Sequence, residues 1–237
     1  MQLKGKVVLI TGANGGLGTA LIKAFLDAKV ARVYAACRSP AKLQVRDPRV
    51  SPLRLDVTDP VGIAQAVRAV GPIDVLLNNA GLNHQQRLLD TALPGAASEE
   101  MAVNYFATLN MIRAFAPGLA ARGGAVVNVL SILARVAIPA MGSLSASKAA
   151  AFRLTEAASA ELSGRVQVMA VLPGVIDTAM SRDFPGAKAA PESIAVAILA
   201  GLEAGESVLY PDPMAMDIAQ GLSADREAVV RELSRFV

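Results

Sequence analysis

The chain has 237 residues, 53% of them hydrophobic and 18% charged, with a net charge of +3, one cysteine, one histidine and no tryptophan. That apolar share excludes a disordered chain and supports one large buried core. A mild positive balance without a basic run suits a phosphate-bearing small ligand better than a nucleic-acid track; a lone cysteine, Cys37, excludes an internal disulfide and a cysteine-based zinc site, and no metal is expected.

The chain opens at Met1 and runs almost at once into a strand-like segment, with no signal-peptide pattern. No apolar stretch approaches the length of a membrane span. The expectation is a cytoplasmic protein with neither a membrane nor a nucleic acid as partner.

Along the chain, short β-branched runs alternate with longer Ala-rich amphipathic ones, which predicts parallel strands joined by helices. The first strand is expected over Val7 to Ile10. Thr11-Gly12-Ala13-Asn14-Gly15-Gly16-Leu17-Gly18 follows, then a helix over 17–28. Glycines between a first strand and a first helix permit a tight turn and let the backbone approach a pyrophosphate at the helix N-terminus. A glycine-rich turn without a ligand is the competing reading.

The second strand is expected over Arg32 to Ala36, with Arg38 just beyond it. Where many dinucleotide-binding proteins carry an acid for the ribose hydroxyls, Arg38 offers a partner for a 2′-phosphate, or is simply a solvated arginine. The third strand is placed at Leu53 to Asp56, with Asp56 a partner for an adenine edge and Val57 beside it. A helix over 60–69 and a strand over Val75 to Leu77 come next. Then follow a helix over 98–120, a strand over Ala125 to Val129, a helix over 143–163 and a strand over Val166 to Val171. The Pro- and Gly-containing segment 173–191 reads as a loop over a site, with a substrate lid near 175–190. A helix over 191–203 and a seventh strand over Ser207 to Tyr210 close the pattern. The fold class is α/β: a Rossmann fold, a doubly wound parallel sheet of about seven strands flanked by helices, as one dinucleotide-binding domain over 1–237.

These motifs, in this order, resemble the short-chain dehydrogenase/reductase family over nearly the whole chain. Thr11-Gly-x-x-x-Gly16-x-Gly18 resembles its cofactor signature, and Asn78-Asn79-Ala80-Gly81 its motif after the fourth strand. The resemblance implies a cofactor, NADP(H) by preference with NAD(H) possible, held by Thr11, Gly12, Asn14, Gly16, Leu17 and Gly18. It also brings in Arg38, Asp56, Val57, Asn79, Ala80, Gly81, Lys148, Pro173, Gly174 and Thr178, the last against the nicotinamide amide. Asn104 sits where the family keeps a helix-bending asparagine that holds a proton-relay water. Ser131 matches the serine that hydrogen-bonds the substrate oxygen. Hydride transfer to a carbonyl, or from an alcohol, is the implied chemistry.

The family's general acid is a tyrosine four residues ahead of a lysine. Here Lys148 is present and the tyrosine position is Leu144, thirteen residues after Ser131. Leucine can neither give nor take a proton. Ser131, Lys148 and the only histidine, His84, are the candidate substitutes; Ser143 and Ser145 point about 100° away around a helix. The expected function is a slow or altered NAD(P)H-dependent oxidoreductase; the alternative is a non-catalytic dinucleotide-binding sensor or assembly protein, and a third reading is a scaffold for chemistry that needs no tyrosine. The mostly apolar lid, with Met141 and Leu144, points to an apolar carbonyl or alcohol as substrate. Ala-rich faces at Ala146, Ala149, Ala150, Ala157 and Ala158 permit close helix contact, and the resemblance implies a homodimer or homotetramer through the helices over 98–120 and 143–163; packing of both faces within the monomer is the competing reading.

Overall fold

A computed structural model of the chain describes residues 1–235; the last two residues of the expected domain lie outside it. Seven parallel strands form one sheet in the order β3-β2-β1-β4-β5-β6-β7. They are β1 (Val7–Thr11), β2 (Arg32–Cys37), β3 (Val50–Arg54), β4 (Val75–Asn78), β5 (Ala125–Val129), β6 (Gln167–Val171) and β7 (Val208–Leu209). The central strands are apolar on both faces because helices cover both. Val8, Ile10, Val75 and Leu77 pack with α1 (Gly16–Asp27) and α6 (Pro191–Ala204) on one side. Leu9, Leu76 and Val126 pack on the other, with α2 (Pro60–Val70), α4 (Ala107–Arg122) and α5 (Gly142–Glu161). The doubly wound α/β expectation therefore holds. Among the described residues no helix is long and apolar enough to cross a membrane.

Two expectations are corrected. The third strand lies at Val50–Arg54 rather than Leu53 to Asp56, and it contains Pro52. Proline is tolerated because β3 is an edge strand. Arg49 and Leu55 bond to β2 through O and N, so alternation turns the even-numbered Pro52 outward, where its missing N–H costs no ladder bond. Second, the helix expected over 98–120 is broken. It comprises α3 (Ala96–Met101), a π-helical turn at Ala102–Phe106, and α4. Beyond the elements expected, α7 (Pro213–Ala224) and α8 (Arg226–Leu233) follow β7. Each has an aspartate cap, Asp212 accepting from Ala215 N and Asp225 from Ala228 N, and the Asp212-Pro213 start was a readable signal.

Candidate active site

The strand order reverses between β1 and β4, and open α/β sheets bind ligands in the crevice beyond such a point. Thr11 ties the two strand ends together. Its Oγ1 donates to Leu77 O at 3.2 Å and accepts from the amides of Asn79 and Ala80, each at 3.0 Å. Asn79 Nδ2 donates in turn to Thr11 O at 2.8 Å and Gly12 O at 3.2 Å. The β4 motif thus buttresses the glycine turn.

Gly12 has φ +63°, and a Cβ there would stand 2.9 Å from Ala80 Cα. A Cβ on Gly18 would collide with Gly12 O and lie 2.8 Å from Ala13 Cα, so only glycine lets α1 start this close to β1. α1 has no side chain capping its N-terminus and no acid in its first turn, which leaves its first amides directed at solvent or an anion. Asn14 is half-buried in the turn. Leu17 is buried in the core, so only its backbone is available to a ligand. A pyrophosphate fits this cradle.

Arg38 is exposed just past β2. Asp56 lies two residues beyond β3, where its Oδ1 accepts from Thr58 Oγ1 at 2.7 Å and Thr58 N at 2.9 Å. Those bonds hold its carboxyl below the ordinary value, and the Arg38 charge adds to the effect. Val57 packs partly against the lower core.

Beyond β5, Ser131 Oγ accepts from Leu133 N at 3.1 Å, which leaves its own hydroxyl proton free to donate. Lys148 is buried, and its Nζ donates to Val129 O at 3.1 Å. Burial without an anion lowers its pKa from 10.5 to about 8. A Cβ built on Gly81 would lie 3.5 Å from both Lys148 Nζ and Asn104 Oδ1, so these three positions converge. Leu144 is 7% exposed in the first turn of α5, four residues ahead of Lys148. Of its neighbours, Ser143 Oγ donates to Glu100 Oε2 at 2.6 Å and Ser145 Oγ to Met141 O at 2.8 Å.

Asn104 lies in the π-helical turn, buried. Its side chain is fully engaged: Oδ1 accepts from Leu82 N at 3.0 Å, and Nδ2 donates to Leu82 O and Ser147 Oγ, each at 2.9 Å. His84 Nε2 lies 2.9 Å from Glu99 Oε2, so the ring is paired with an exposed carboxylate. Pro173 O accepts from Ile132 N at 2.8 Å, and Gly174 N donates to Asp212 Oδ2 at 2.9 Å. Segment 175–190 closes on itself through Ala189 N to Val175 O at 2.8 Å and Asp177 N to Ala189 O at 2.9 Å. The Thr178 methyl rests on Gly16, where a Cβ would meet it at 2.9 Å. Segment 175–190 and the glycine turn are thus in contact.

Sequence reasoning missed two buried acids, Glu100, which accepts from Ser143 Oγ and His84 N, and Asp212, which accepts from Gly174 N. Nothing local marks Glu100. Among the described residues no group of three or more His, Cys, Asp or Glu side chains could hold a metal.

The sequence pattern of the short chain dehydrogenase family matches residues 6–188. Over 197 residues the chain is 36% identical to a dehydrogenase/reductase SDR family protein 7-like of Anopheles gambiae, covering 76% of this chain but only 62% of that protein. Over 186 residues it is 36% identical to human L-xylulose reductase, covering 76% of this chain and 75% of that one. A crystal structure of a short chain dehydrogenase from Burkholderia cenocepacia J2315 in complex with NADP superposes with a TM-score of 0.95. It shares 51% identity, with 98% of this chain and 99% of that chain covered.

Proposed function

Since the chain belongs to the short chain dehydrogenase family, we propose that it is an NAD(P)H-dependent oxidoreductase whose proton-donor position is filled by Leu144. NADP(H) is the preferred cofactor and NAD(H) a weaker one. Arg38 supports that preference, as does the NADP bound by the Burkholderia relative. The turn Thr11 to Gly18, with Asn79 to Gly81, Asp56 and Val57, holds the dinucleotide. Pro173, Gly174 and Thr178 hold its nicotinamide end. When bound, the cofactor supplies a hydride.

The substrate is a small apolar carbonyl or alcohol beneath the lid near 175–190, within a single domain, in a cytoplasmic protein. Ser131 hydrogen-bonds the substrate oxygen with the proton that its bond from Leu133 N leaves free. Lys148 keeps a ribose contact with the N–H groups not used by Val129 O. Asn104 fixes the loop after β4. His84, paired with Glu99, has no proton-transfer role in this reading.

The observation that carries the proposal is Leu144 itself, buried one helical turn from Lys148. The loss of a positioned general acid costs about 10²–10⁴ in rate, roughly 3–5 kcal/mol of barrier. Leu144→Tyr is therefore expected to raise NADPH-dependent reduction of a carbonyl panel by about 10²–10⁴. The same leucine favours a second reading, a dinucleotide-binding protein without turnover. If the parent chain shows cofactor binding and no turnover, and Leu144→Tyr adds none, the second reading replaces the first.

A further inference from the structure

Two polar rungs cross the contact between the α3–π segment and the start of α5. Asn104 donates to Ser147, and Ser143 donates to Glu100. The partners on each helix are four residues apart, so each pair shares a face. Both rungs continue into one loop. Asn104 holds the backbone of Leu82, and Glu100 Oε1 accepts the amide of His84 at 2.7 Å.

Glu100 is 1% exposed, although a carboxylate is almost never fully buried without a cation. The His84 ring goes to Glu99, not to Glu100. Glu100 therefore spends its two oxygens on two neutral donors, one in the loop and one beside Leu144.

The loop carries this anchorage across the mouth of the site. Gln85 has φ 52°, a backbone conformation uncommon for a residue with a side chain. Its Nε2 donates to Met180 O in the lid segment at 2.6 Å, while Asn83 Oδ1 accepts its amide at 2.8 Å. Leu88 lies over Gly142, where a Cβ would meet it at 2.9 Å.

We infer that Glu100 is a positioning residue: it pins the loop over 82–90 and the first turn of α5 in one arrangement, and so sets how substrate is held beside Ser131 and Lys148. The pinning follows from the contacts; only the consequence for substrate rests on the oxidoreductase reading. Glu100 does not touch the reacting atoms. What Glu100 supplies is one acceptor for the His84 amide and one hydrogen-bonding partner for the Ser143 hydroxyl, not its charge. Glutamine can meet the same pair, its oxygen accepting from His84 N and its amide donating to the serine hydroxyl.

The test uses the full chain and its Glu100→Ala, Glu100→Gln and Ser143→Ala variants. Trypsin cleavage after the exposed Arg87 is timed by mass spectrometry, and thermal unfolding is followed alongside. Glu100→Ala is expected to speed cleavage after Arg87 about tenfold or more, with Glu100→Gln within about threefold of the parent. Ser143→Ala, which leaves the loop arm in place, is expected to cleave at the parental rate. In a Leu144→Tyr background, Glu100→Ala is expected to raise KM for the carbonyl more than it lowers kcat, and Glu100→Gln to restore it. Parental cleavage in Glu100→Ala overturns the proposal. So does a Glu100→Gln variant as impaired as alanine, or an acceleration at Arg87 no greater than at sites across the whole chain. If Leu144→Tyr has no turnover, the oxidoreductase reading fails alone, and the cleavage rates still decide the pinning.

Discussion

Lys148 carries an ammonium into the fold and meets a single carbonyl there, that of Val129. The unfolded chain titrates at the ordinary 10.5 and the folded chain at about 8, so folding bears the cost of a buried cation. That cost is full below pH 8, shrinks as the pH rises from 8 towards 10.5, and then vanishes, because over that window the unfolded state binds more protons. At ~1.4 kcal/mol per pH unit it amounts to about 3 kcal/mol. Lys148→Met is expected to stabilise the chain at pH 7 by up to about 3 kcal/mol, with the gain fading by pH 10.5. Denaturant titrations at the two pH values check this, and an unchanged midpoint at pH 7 would mean that another group already offsets the charge. Gly12 makes the opposite point. At φ +63° and with Ala80 against it, Gly12→Ala is expected to cost about 1–3 kcal/mol by the same titration and to weaken NADPH binding.

At the scale of elements, Asp212 joins two pieces of chain that sequence alone keeps apart. It caps α7 and holds the Gly174 amide, so Asp212→Ala is expected to lower stability by about 1–2 kcal/mol and to loosen the segment leading to Thr178. Urea unfolding reads the first effect and protease sensitivity near residue 174 the second. The central strands were legible because burial on both faces writes an unbroken apolar run, as in Val75 to Leu77. The glycine turn was legible because its chemistry is local. β3 was misplaced because an edge strand tolerates Pro52, which reads as a breaker. The π turn left no trace in composition, because it changes only the hydrogen-bond register at Ala102–Phe106; the family resemblance at Asn104 was the one mark of a bend there. Glu100 was passed over because its partners lie 16 and 43 residues away, beyond the reach of any periodicity.

At the scale of the molecule, the surfaces expected to carry assembly are helical. Of the alanines expected at an interface, Ala158 is buried within the chain's own core, whereas Ala146 and Ala157 are exposed and Ala149 and Ala150 half-buried. Phe106 stands 53% exposed at the start of α4, edge-on to Tyr105. If the chain forms a homodimer or homotetramer through α4 and α5, Phe106→Arg is expected to reduce its mass in solution to that of a monomer, as sedimentation would record. A parent that is already monomeric would end that expectation.

The borders of the sheet bear on the same question from the other side. One border is β3, with Pro52 turned outward; the other is β7, only two residues long. Neither presents a continuous row of free amides and carbonyls on which a foreign strand could template. Strand addition is therefore disfavoured at both margins of the sheet, and replacing Pro52 or lengthening β7 would open an edge on which such pairing could begin.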